Sequence, residues 1–200
     1  MEYIVIILVG YLIGTLNPAL VTAKVVSGVD IREVNSKNPG TSNIAITLGL
    51  KYAVIVGILD ILKGTIPVLI LRVLYPDSDY MWFIGGISVT LGHIYPFYMK
   101  FKGGKGTATF GGVVIAAAPL FSLILIIIFV IVTFWSDFIA VSTIVGFILV
   151  PIGIYFLGYH YISVIIATLF FILSTYKHWP NVVRIYNKTE IGLKEAFSKD

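Results

Sequence analysis

A chain of 200 residues, 58% of them apolar and only 12% charged, with a mean hydropathy of +0.98, lies far outside the range of a soluble domain. Its formal net charge of +4 arises from 14 Lys and Arg against 10 Asp and Glu, and it has three His and no Cys. Thiol nucleophiles, Cys metal sites and disulfides are thereby excluded, a His-rich metal centre lacks ligands, and an integral membrane protein is indicated.

Apolar runs recur at 3–23, 52–74, 80–98, 110–134, 138–157 and 159–176, so hydropathy alone counts six spans. The first has no basic N-terminal region and carries Gly14, Asn17 and Pro18 in place of a cleavage site, which predicts a retained span. After it comes a polar loop, residues 30–43. There Asn38-Pro39-Gly40 favours a turn, and Ser42 and Asn43 stand where they would cap a following helix with an anion-binding N-terminus. Inside the second run Asp60 and Lys63 share a helix face and are expected to neutralise each other or to reach towards the cytoplasmic site, and the adjacent Gly64 suggests close helix packing. His93, near the end of the third run, is expected to make a structural hydrogen bond, and His160 to lie at the interface.

The most informative segment follows His93. Lys100, Lys102 and Lys105 alternate with Gly103, Gly104 and Gly106 ahead of Thr107. Glycines there allow close backbone approach, and the lysines supply charge where a phosphate would sit. The last segment, residues 178–184, places His178, Asn181 and Arg184 at three-residue intervals on one helical face. A neutral His can accept a proton, Asn can orient a hydroxyl and Arg can clamp a phosphate.

Basic residues cluster in the first loop, around 100–105 and in the tail, which predicts that all three are cytoplasmic. The base-free turn at 76–79 and Glu2 ahead of the first span predict an external N-terminus. The second loop and the tail can share a face only if an even number of spans separates them. Dividing the 110–134 run at Pro119, into helices near 109–118 and 120–135, meets that condition. The expected fold is an all-α membrane bundle of seven transmembrane helices, forming a single domain over 1–200. The division puts the turn at Trp135-Ser136-Asp137 in the cytoplasm without a base, and Ser142 lies just beyond it on that face.

Two familiar motifs fail. A nucleotide P-loop would need Gly at 99 and Ser or Thr at 106, where Met99 and Gly106 stand. A soluble-type acyltransferase would show Asp five residues after a His, but Tyr98, Ile165 and Val183 occupy those positions.

Taken together, residues 36–43, Asp60 to Gly64, Gly92 to Pro96 with 100–109, and 178–184 followed by Thr189-Glu190 resemble the acyl-phosphate-dependent glycerol-3-phosphate acyltransferases of bacteria, the PlsY family. The segments follow family order across nearly the whole chain. Departures are Lys37 where Gly is expected, Thr41-Ser42 where Ala-Thr is expected, and Thr15 in place of Ser. The resemblance implies transfer of a fatty acyl group from acyl phosphate to the 1-hydroxyl of glycerol 3-phosphate, the entry step of phospholipid synthesis. It implies a multi-pass protein of the bacterial inner membrane with a cytoplasmic site and neither cofactor nor metal. Membrane lipid and the two small substrates are the expected partners, nucleic acid is not, and a monomer is compatible. The candidate catalytic residues are His178, Asn181, Ser36 and Lys105. Asn38, Gly40, Thr41, Ser42, Asn43, Lys102, Gly103, Gly104, Gly106, Thr107, Ser142, Arg184 and Glu190 are expected to bind substrate. Rival readings are a transporter or flippase for a phosphorylated metabolite, and an acyl-CoA-dependent transferase with the same acceptor.

Overall fold

The computed structural model describes residues 1–197, which form helices and connecting turns with no strand among them. The chain opens with α1 (Glu2–Thr15) and α2 (Pro18–Ser27). The first apolar run is therefore not one continuous helix, as expected, but is broken at Leu16–Asn17. The cause is local: the Asn17 side chain accepts from Leu20 N at 2.8 Å, and Pro18 occupies the first helical position, where its missing N–H costs nothing. Glu2–Ser27 as a whole remains long and apolar enough to cross a membrane.

Helix α3 (Thr41–Leu48) is capped by Gly40 and no side chain caps it, so Ser42 and Asn43 lie in its first turn and not at the expected cap. Gly49, at φ 85, turns the chain directly into α4 (Leu50–Leu74). Next come α5 (Asp79–Ile94), α6 (Thr107–Ala117) and α7 (Pro119–Ser136), with a break at Ala118 where Pro119 predicts it. After α8 (Ile139–Phe156), α9 (Tyr161–Tyr186) continues ten residues past the expected end of the last apolar run, so residues 178–184 are helical. A short α10 (Leu193–Phe197) ends the described chain. Glu2–Ser27, α4, α7, α8 and α9 are long and apolar enough to cross a membrane. With 16 and 11 residues, α5 and α6 are shorter.

Small residues let the helices approach closely. A Cβ on Gly14 would fall 1.9 Å from Val89 O, joining α1 to α5. Cβ atoms on Gly64 and Gly112 would fall 2.0 Å from Thr109 O and 2.1 Å from Ile61 O, joining α4 to α6 in both directions. The interior between α6, α8 and α9 is aromatic, with Phe110 stacked on Phe170 at 3.9 Å and Phe147 edge-on to both.

The contacts define two ends. At one, Glu2 bonds Tyr75, Trp82 Nε1 donates to Tyr75 O, His160 N donates to Asp79 Oδ2, and Tyr159 Oη donates to Ala117 O. At the other lie the α1–α2 break, the first loop and the 95–106 segment. There Tyr98 Oη donates to Thr15 O at 2.7 Å and Asn17 Nδ2 to Pro39 O at 3.2 Å. The turn at Asp137 belongs to this second end, because Asp137 O accepts from Leu193 N at 2.8 Å in the same tail that carries Glu190. Helices α6 and α7 thus form a hairpin that leaves the second end and returns to it.

Candidate active site

Beyond α5 the chain makes a single turn of 3₁₀ helix at Phe97–Met99 and reverses through Lys100 and Phe101, both at positive φ (52° and 58°). It then folds back on the end of α5, with Gly103 N donating to Ile94 O at 2.9 Å and Gly104 N to His93 O at 3.1 Å. These two glycines therefore serve a different purpose from the expected one. Their N–H groups are engaged by the protein, and their missing Cβ atoms make room for His93, since a Cβ at 103 would sit 2.1 Å from His93 O and one at 104 would sit 2.1 Å from its Nε2. Only at Gly106 does the expected anion geometry begin. It caps α6 at φ 82, and the first N–H groups of that helix, at Thr107 to Thr109, precede its hydrogen-bonded ladder and carry the positive end of its dipole.

Helix α9 supplies the opposite wall. The Lys105 ammonium donates to Asn181 Oδ1, Asn181 Nδ2 donates to Glu190 Oε1 at 2.7 Å, and Arg184 Nε donates to Glu190 Oε2 at 2.5 Å. Burial pushes the Lys105 ammonium down to about 8, with Glu190 opposing that shift and Arg184 and Lys177 adding to it. His178 is buried and stands one turn before Asn181 on the same face. Its Nδ1 lies 2.8 Å from Ser174 O, a carbonyl that can only accept, so the neutral ring carries its proton on Nδ1. That leaves Nε2 as an acceptor, 3.4 Å from Thr107 Oγ1 at the start of α6.

The structure thus gathers Lys105, Gly106, Thr107, His178, Asn181, Arg184 and Glu190 into one cluster. The first loop stands at the same end of the bundle, with Ser36 and Ser42 exposed and Asn38 and Thr41 partly so. Asn43 is fully buried and its Nδ2 donates to Ile31 O and Val34 O, which ties the first loop together, while its Oδ1 has no hydrogen-bond partner. Ser142 is likewise fully buried, 2.6 Å from Thr133 Oγ1 and donating to Ile139 O, so its hydroxyl lies in the α7–α8 contact. Lys102 is exposed at the rim. Lys37, where Gly was expected, has φ 57, the left-handed region that Gly favours, so the backbone path survives the departure.

Sequence reasoning missed Asp137. Its Oδ1 accepts from Lys194 N at 3.0 Å, and with the Leu193 bond this docks the tail that presents Glu190. The available signal was the turn's lack of a base, an anomaly under the charge rule. An apolar cavity of ≈ 240 Å³ opens between α5 and α9, lined by Ile87, Leu91, Ile166, Leu169, Phe170 and Leu173. Leu173 lies five residues before His178, about 8 Å along the helix axis.

Residues 4–188 match the protein family described as Glycerol-3-phosphate acyltransferase. The chain belongs to that family. A relative named glycerol-3-phosphate acyltransferase, from Bacillus subtilis (strain 168), is 36% identical over 189 residues, covering 94% of this chain and 96% of the relative. One from Blochmanniella floridana is 34% identical over 185 residues, covering 92% and 93%. The crystal structure of PlsY (YgiH), an integral membrane glycerol 3-phosphate acyltransferase, in its glycerol 3-phosphate form, superposes with a TM-score of 0.90 at 32% identity, covering 96% of each chain. Its lysophosphatidic acid form gives 0.87 at 30%, covering 98% of this chain and 99% of that one. The chain is therefore a multi-pass membrane acyltransferase of the glycerol-3-phosphate acyltransferase family, as its motif order implies, and its cluster at Lys105 and His178 is the natural place to seek the chemistry.

Proposed function

We propose that this acyltransferase moves a fatty acyl group from acyl phosphate to the 1-hydroxyl of glycerol 3-phosphate, giving lysophosphatidic acid and phosphate at the cytoplasmic face of the bacterial inner membrane. The observation that carries the reading is the convergence of Lys105, the open N-terminus of α6 and Arg184 on the Nε2 side of His178, beside an apolar cavity. Two anionic head groups need such cationic and N–H donors, and an acyl chain needs such a cavity.

The glycerol hydroxyl oxygen attacks the acyl carbonyl carbon, the bond from that carbon to the bridging phosphate oxygen breaks, and phosphate leaves with the electron pair. A mixed anhydride is already activated, so no covalent enzyme intermediate is needed. Lys105 and the N–H groups at the start of α6 hold the acyl phosphate and take up the charge of the leaving phosphate. Ser36, Asn38, Gly40, Thr41 and Ser42, with Arg184 and the rim charge of Lys102, hold glycerol 3-phosphate. Asn181 and Glu190 orient Lys105 and Arg184. The hydroxyl proton passes to His178 Nε2 or to a substrate phosphate, whose second pKa of about 6 suits that task.

The bundle forms one domain with seven crossings, its N-terminus outside and its tail in the cytoplasm. The α6–α7 hairpin supports this parity, as does the clustering of Arg32, Lys100, Lys102 and Lys188 at the site end. The test is phosphate release by the purified protein from palmitoyl phosphate plus glycerol 3-phosphate, with no added nucleotide or metal. Release that depends on both substrates and is lost in Lys105→Ala is expected. Flux of a phosphorylated metabolite across liposomes without phosphate release would overturn the reading. His178→Ala with near-normal turnover would assign the proton to substrate phosphate.

A further inference from the structure

A buried ion cluster lies beneath the proposed substrate contacts and takes no part in them. On α4, Lys63 Nζ sits 2.8 Å from Asp60 Oδ1, and His93 of α5 brings Nδ1 to 3.3 Å from the same oxygen and 2.7 Å from the ammonium. Asp60, Lys63 and His93 are 2%, 9% and 4% exposed, so the cluster is largely withdrawn from solvent. An i,i+3 pair on one helix joins nothing to anything else, and in the interior a hydrophobic pair would serve stability as well. The contacts that leave α4 are the informative ones.

In one direction Lys63 Nζ donates to Leu16 O at 2.8 Å and to Gly14 O at 3.3 Å. These carbonyls end α1, where the α1–α2 break leaves them without amide partners. Asn17, the next residue, donates to Pro39 O at 3.2 Å and so fixes the turn of the first loop. In the other direction His93 carries the Gly-Lys loop, its carbonyl accepting from Gly104 N at 3.1 Å and its Nε2 filling the space a Gly104 Cβ would take. The ion cluster is thus a continuous connection from the first loop to the loop that presents Lys105.

We propose that Asp60, Lys63 and His93 are positioning residues that hold these two loops at a fixed separation, so that acyl phosphate and glycerol 3-phosphate meet in register. The proposal rests on the assignment of the two loops to the two substrates. An ammonium suits the position because its three N–H donors diverge from one point, within reach of a carboxylate on its own helix, an imidazole on α5 and the carbonyls that end α1.

The absence of Cys makes the loop separation directly measurable. Nitroxides at Glu33→Cys in the first loop and Lys100→Cys in the second, both exposed positions, report it by pulsed electron–electron double resonance in detergent or nanodiscs. Lys63→Met strands a buried carboxylate, so the neutral pair Asp60→Asn/Lys63→Met is measured beside it, with Lys63→Arg as the conservative variant. In the neutral pair the distance distribution is expected to broaden or shift. Its kcat per folded molecule should fall by about 10²-fold, the loss typical of a ~1 Å misplacement, while each KM stays within about threefold. Lys63→Arg, which can still reach the carbonyls, should recover most of both. A folded neutral pair with unchanged distances would overturn the proposal whether or not its kcat fell. If the unsubstituted protein releases no phosphate, the substrate assignment fails, and the distances still decide whether the cluster positions the loops.

Discussion

Replacing Gly104 by alanine tests the packing of the Gly-Lys loop most directly. The added Cβ would stand 2.1 Å from His93 Nε2, 2.8 Å from Cε1 and 3.0 Å from Cδ2, over the ring and about 1.3 Å inside the 3.4 Å where ordinary contact begins. His93 cannot retreat, because its Nδ1 already packs against the Asp60–Lys63 pair and the ring is buried. The loop must therefore move by roughly 1 Å and carry Lys105 and the start of α6 with it. A displacement of that size costs about 10²-fold in rate, or ~2.7 kcal/mol of transition-state stabilisation, and overpacking adds ~1–3 kcal/mol of lost stability. The assay is steady-state phosphate release from acyl phosphate and glycerol 3-phosphate, normalised to folded protein by thermal unfolding. Gly111→Ala is the control, since nothing lies within 4 Å of a Cβ there and the helix gains up to ~1 kcal/mol. Folded Gly104→Ala enzyme with kcat and both KM values within threefold of the parent would refute the reasoning, as would an equal loss in Gly111→Ala.

Lys105 titrates near 8 in the unliganded protein, so its charge is present below that pH and lost above it, and the KM for acyl phosphate is expected to rise as pH passes through 8 to 9. Lys105→Arg, always charged, should abolish the rise; a flat profile in the parent enzyme would contradict the burial argument. The lowered value also means that the folded state binds fewer protons than the unfolded one between about 8 and the ordinary lysine value of 10.5, so thermal stability should increase across the window in which affinity falls. Asp137 is expected to act through the tail. Asp137→Gly keeps the left-handed backbone (φ 69) but removes the acceptor for Lys194 N, and should lower activity several-fold, whereas Asp137→Asn retains an acceptor and should not. Combined with Glu190→Gln the loss should be less than additive in a double-mutant cycle, and full additivity would show that Asp137 does not work by presenting Glu190.

Much of this was legible because membrane folding leaves strong marks on sequence. Pro119 inside an apolar run, together with the requirement that two basic segments share a face, was enough to locate the α6–α7 break. The three-residue spacing of His178, Asn181 and Arg184 announced one helical face because α9 continues past its apolar stretch. What stayed hidden depends on which of two equivalent uses a residue finds in three dimensions. Gly103 and Gly104 read as an anion loop, yet their N–H groups close on α5 and their bare Cα atoms admit His93. Ser142 and Asn43 are polar residues whose burial against local partners no pattern in the sequence announces. The ion pair at Asp60 and Lys63 was foreseeable from its spacing; its reach to Leu16 O and His93 was not, since both lie on other helices.

Helix lengths explain why a polar site coexists with an apolar cavity. Both α6 and α7 start from the break at Ala118, but α6 has 11 residues and α7 has 18, a difference of about 10 Å at 1.5 Å per residue. The N-terminus of α6 therefore stops about 10 Å short of the level of the α7–α8 turn. Two other helices agree. Helix α9 continues eight residues beyond His178, about 12 Å, and α4 begins fourteen residues before Gly64, which packs on Thr109, about 21 Å. The cationic cluster is thus recessed between helix ends that rise above it. In the proposed reaction, that depth would let an acyl phosphate keep its chain in the cavity between α5 and α9 while its head group reaches Lys105. Burial in that recess also lowers the Lys105 pKa to about 8, so the ammonium keeps its charge at neutral pH and gives it up only as the pH rises above that value.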